Sequence, residues 1–79
     1  MTEENIRIQL SSIFKQTFNY NGVVTDDLNA EKVDRWTSLT HNLFIVEIEK
    51  YFDFTFTLRE VSRFKNIGDI ILTIIKHKA

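Results

Sequence analysis

The chain has no cysteine and no proline, and carries only two glycines, Gly22 and Gly68. Without cysteine there is no disulfide framework and no thiolate metal site, and thiol pairing says nothing of redox compartment. The two histidines, His41 and His77, are too few and too isolated to suggest a metal centre. No apolar run approaches the roughly 20 residues that cross a bilayer, so membrane insertion is not expected. Met1-Thr2-Glu3-Glu4 has none of the basic or apolar character of a signal peptide, and a soluble, cytoplasmic protein is the default expectation. A formal net charge of −1 lacks the basic footprint of a nucleic-acid binder.

What is present fits one small globular domain, residues 1–79. At this length a chain buries only about 60% of the surface its unfolded form exposes. Hydrophobic residues at 43% and charged residues at 27% are far from a disordered composition. Seven Phe, two Tyr and one Trp supply an aromatic-rich core. Charge is unevenly placed. From Thr57 onward Arg59, Arg63, Lys65, Lys76 and Lys78 face only Glu60 and Asp69, a local +3, against −4 before it. Such an asymmetry is more often a solvated surface than a functional patch.

Absent proline and helical spacing of the apolar residues predict an all-α fold of four helices, with a long first loop and a short third helix. The first helix is expected over Glu3–Phe18, capped by Thr2, with Ile6, Leu10, Ile13, Phe14 and Phe18 on one face. A polar connection, Asn19 to Arg35, carries turn residues and four apolar anchors, Val23, Val24, Leu28 and Val33. A loop that long in a compact domain usually serves function. The second helix is expected from Ser38 to Tyr51. Phe44, Ile45, Ile48, Tyr51 and Phe52 gather on one side, with His41 among them. Leu39, Leu43 and Val46 form a separate stripe, flanked by Glu47, Glu49 and Lys50. One helix in so small a domain has one core to face, so the second stripe lies either under a loop or exposed, and an exposed apolar stripe usually means a partner. A short third helix fits Leu58–Phe64, opened by the capping box of Thr57 and Glu60. A last helix fits Ile67 to about Lys76, with Asn66 as cap and Ile67, Ile70, Ile71, Ile74 and Ile75 facing inward. Phe52, Phe54 and Phe56 alternate as a strand would, but nothing nearby would pair with one, so an extended link is preferred.

The succession of elements resembles acyl carrier proteins. The resemblance is sharpest at Trp36-Thr37-Ser38-Leu39-Thr40-His41, followed by Leu43-Phe44-Ile45-Val46-Glu47-Ile48-Glu49 and Tyr51-Phe52. Its specific part is about fifteen residues, within a looser match from Asp26 through Ile75. The resemblance implies a carrier rather than an enzyme. A phosphopantetheinyl transferase would attach the 4'-phosphopantetheine arm of coenzyme A to Ser38, making a phosphoprotein. The arm's thiol would carry acyl intermediates as thioesters for fatty-acid, polyketide or related biosynthesis. Loading and condensing or transferring enzymes would be the partners of a monomeric carrier. Locally the position makes sense: a serine opening a helix after a long loop is accessible, and helix N-termini favour phosphate. Taken from the local residues alone, an ordinary N-cap role would be the commoner reading.

Two departures from the family stand out. The family has Asp directly before the attachment serine, where this chain has Thr37. Thr still caps, but the transferase loses a carboxylate beside its target. That leaves open a transferase with altered preference, an engineered change, or a domain that is never loaded. The partner face is also less acidic than is usual in the family. Thr37, Leu39, Leu43, Val46 and Glu47 would form it, docking more by apolar contact than by steering. His41 is expected to be a half-buried helix residue, since no nucleophile–base pair surrounds it. Phe54, Phe56 and Phe64 are expected in the core, where their bulk would favour short cargo. A peptidyl or aminoacyl carrier, and an unmodified interaction module of the same fold, remain alternatives.

Overall fold

The computed structural model describes residues 2–78, which form four helices and, among the described residues, no strand. Helix α1 spans Glu3–Phe18, α2 Ser38–Phe52, α3 Leu58–Ser62 and α4 Ile67–Lys78. The starts of all four coincide with those expected from the sequence. The ends of the last three differ by two residues or fewer.

Each boundary has a local cause. Thr2 accepts a hydrogen bond from the Asn5 amide at the start of α1. Asn19 and Asp53 end α1 and α2 in the left-handed region, at φ 51° and 58°, where Asn and Asp are tolerated in place of glycine. At α3 the Thr57 and Glu60 side chains cap each other's backbone amides. The Thr57 amide, and then His77, hold the Glu60 carboxyl below the usual carboxylate range. At α4 the Asn66 carboxamide accepts from the Asp69 amide at 2.9 Å, the expected cap.

The core is one cluster fed by α1, α2, α4 and the connecting segments, with Val61 of α3 packed against its edge. Ile6, Leu10, Phe14 and Phe18 of α1 meet Phe44, Ile45, Ile48 and Phe52 of α2, with Ile67, Ile70, Ile71 and Ile74 of α4. The extended link contributes Phe56. Glu49 holds that link by accepting from the Phe56 amide at 2.8 Å. Phe54 and Phe64 are only half-buried, packed against the cluster rather than inside it. Tyr51, expected on the inner face of α2, is exposed. It lies at the edge of that arc, its ring edge-on to Phe52 and its phenol free to meet water.

The long loop is pinned to the helices by side chains and by backbone. Leu28 and Val33 are buried and Val24 packs on the core. Val23, an expected anchor, is exposed instead, since neighbours in extended chain point opposite ways. The first amides of α4 close onto the loop: Ile67 donates to the Leu28 carbonyl at 3.0 Å and Gly68 to Asp26 at 2.8 Å. A Cβ at Gly68 would sit 3.3 Å from Asp26 atoms, so glycine serves a close backbone approach there. Arg7 reaches across from α1 to chelate the Asp26 carboxylate. No helix among the described residues is long and apolar enough to cross a membrane.

Candidate functional site

Trp36 decides where the second helix begins. Its ring is buried between Phe14 and Phe18, with centroids 5.5 and 5.2 Å away, and it also meets Phe44 edge-on. The indole Nε1–H donates to Nδ1 of His41 at 2.9 Å, and the two rings stack nearly parallel. The chain is thus fixed just before α2 and one turn into it. Between these anchors Thr37 is the N-cap, its hydroxyl accepting from the Thr40 amide while Thr40 Oγ1 accepts from Thr37 N at 2.7 Å. Thr40 also donates to the Arg35 carbonyl at 2.6 Å. Ser38 is therefore the first helical residue, exposed, among amides that have no intrahelical acceptor.

An open cleft of about 700 Å³ lies beside it, lined by Ala30 of the loop, Trp36 to Ser38, His41 and Asn42, and by Phe64 and Lys65 after α3. Thr37 and Ser38 come together there. Leu39, Leu43 and Val46 do not: they stand apart on the outer face of α2, 71%, 53% and 44% exposed. Glu47 is beside them, in a loose ion pair with Lys50 at 3.8 Å. Lys65 and Phe64 had no local signal pointing to Ser38, because the α3–α4 turn delivers them from 26 or more residues away. Among the described residues no group of three or more His, Cys, Asp or Glu could hold a metal ion.

Burial pushes the His41 imidazole below its ordinary value of 6.5. The Trp36 hydrogen bond requires a bare Nδ1, so protonation would also set two donors against each other. The neutral form belongs to the folded state, and the unfolded chain takes up the proton first. Stability is then complete above the ordinary histidine value and falls as pH drops below it. Thermal melts from pH 7 to 5 should show that fall, and His41→Gln, which cannot titrate, should flatten it. The difference between the two proteins isolates the contribution of His41.

Thr37 caps α2 fully but leaves its first turn without an acidic residue. Thr37→Asp should shift stability by less than about 1 kcal/mol, since the two residues cap nearly alike. Thermal melts of the two proteins at one pH check this.

No family model and no curated protein matches the chain. Among solved structures, it is similar to the holo acyl carrier protein from Geobacter metallireducens, with 33% identity and a TM-score of 0.81. That likeness covers 87% of this chain and 80% of the other. A protein from Mycobacterium tuberculosis assigned as an acyl carrier protein shares the fold at a TM-score of 0.73 and 21% identity, over 98% of this chain and 97% of its own.

Proposed function

The chain belongs to the acyl carrier protein family, and we propose that it carries acyl intermediates on a 4'-phosphopantetheine arm attached to Ser38. The observation that carries this reading is the Ser38 hydroxyl, exposed as the first residue of α2 at the mouth of a cleft. The similar Geobacter protein is a holo protein, which supports an arm in the family.

The residues present suit such a group. Unpaired amides in the first turn of α2 favour phosphate, and no carboxylate in that turn repels it. Trp36 and Phe64 offer apolar wall and Thr37 and Asn42 polar wall to an arm of alternating amides and methylenes. When attached, the arm supplies a terminal thiol that holds the cargo as a thioester. The protein's own part is to present Ser38, shelter the arm and dock to the enzymes that act on the cargo. Tethering raises the cargo's effective concentration in those sites.

The outer face of α2 is the docking surface in this reading. Leu39, Leu43 and Val46 give it apolar area, and Thr37 and Glu47 give it polar contacts. The transferase and the loading and condensing or transferring enzymes of fatty-acid, polyketide or related biosynthesis are the partners, met by a monomeric carrier in the cytoplasm. Phe64 in the cleft wall favours short cargo. A peptidyl or aminoacyl carrier would use the same serine. Thr37 in place of the family's Asp favours a second reading, an interaction module without the arm. Incubation with coenzyme A and a broad-specificity transferase separates them: the carrier gains one phosphopantetheine mass, and fragmentation places it on Ser38. A chain whose mass does not change is the unmodified module.

A further inference from the structure

Lys65 is the one formally charged residue lining the cleft beside Ser38. Its backbone amide donates to the Asp69 carboxylate at 2.9 Å, which fixes residue 65 in the turn between α3 and α4. Its ammonium has no carboxylate partner among the described residues, whereas Arg7 has two and Lys32 and Lys50 have one each. The cleft offers no competing acid: α2 has none in its first turn, Thr37 stands at the cap, and burial pushes the His41 imidazole towards its neutral form. A single unmatched cation thus lines an acid-free cleft at the serine that the carrier reading loads.

A phosphodiester on Ser38 Oγ would bring one negative charge to the mouth of that cleft, held there covalently. We propose that Lys65 pairs with this phosphodiester and so lays the first part of the arm against Trp36 and Phe64. The inference rests on the Ser38 reading and adds a positioning residue to it. A solvent-facing pair of this kind changes the ratio of docked to free arm by about two- to five-fold. It weakens in salt, because exposed charges are screened within a few ångström near 1 M.

The test uses the full chain loaded with the arm of coenzyme A, compared with its own unloaded form. Loading should give a phosphorus resonance displaced from that of the same phosphodiester in the unfolded chain. It should also move the Lys65 and Phe64 amide resonances and the Trp36 indole resonance. In Lys65→Gln those shifts should shrink by the same two- to five-fold and lose their salt dependence, and in Lys65→Arg they should persist. The Lys65 side chain is exposed, so the unloaded spectra verify an unchanged fold. Full loading with the same shifts in Lys65→Gln as in the parent would overturn the pairing while leaving Ser38 as the attachment site. A parent chain that gains no mass would overturn the Ser38 reading, and the pairing with it.

Discussion

Ser38→Ala is expected to gain no mass in a reaction that adds one arm to the parent, an all-or-none difference. The substituted side chain is exposed at the first position of α2, while Thr37 and Thr40 make the cap without it. Folding should therefore be spared, with a stability change within about 0.5 kcal/mol, or roughly 2–4 °C in the melting midpoint. The other serines make useful internal controls. Ser11 and Ser12 lie within α1, and the Ser62 hydroxyl is already committed to the Arg59 carbonyl at 2.8 Å. None of them opens a helix beside a cleft. Intact mass before and after coenzyme A treatment reads the outcome, and a mass gain surviving in Ser38→Ala would refute the attachment site.

Ile48→Ala should come close to unfolding the domain, while Val46→Ala, two residues away, should leave its melting almost unchanged. Ile48 is fully buried in the shared core of α1, α2 and α4. Truncating it removes apolar contacts and leaves a cavity, at a cost of about 2–5 kcal/mol. A domain of this size has a total stability of about 4–12 kcal/mol, so the loss is a large fraction. The melting midpoint should fall by roughly 10–25 °C. Val46 is half in water, so its truncation should cost less than about 1 kcal/mol. Its expected effect is weaker transfer to or from a partner enzyme, if the outer face of α2 docks as proposed. Equal loss of stability in the two variants would mean that the faces of α2 are wrongly assigned.

The division between the two faces of α2 is legible from residue spacing, because helical periodicity is a local property and 3.6 residues per turn needs no tertiary input. The same holds for the helix starts at Thr2, Thr37, Thr57 and Asn66, where a hydroxyl or carboxamide meets the amide three residues on. Trp36-Thr37-Ser38 and the helix after it carry enough local pattern to indicate the family. Helix lengths are legible to within two residues: α3 stops at Ser62 rather than Phe64, and α4 continues past Lys76 to Lys78.

Tertiary structure decided the rest. Whether Val23 or Val24 turned inward depended on the path of a loop fixed by Leu28, Val33 and two backbone bonds to α4, and backbone bonds leave little trace in side-chain pattern. Tyr51 sits where periodicity allows either burial or exposure, and only the packing of Phe52 against its neighbours resolved it. The hydrogen bond from Trp36 to His41 spans five residues across the start of a helix, a distance set by the turn rather than by any repeat. The cleft beside Ser38 needed most from the fold. Ala30 reaches it from the long loop and Phe64 and Lys65 from the turn before α4, brought together because the loop and α4 share one core. A site built of residues distant in the chain has no period to read; its geometry exists only once the core has closed.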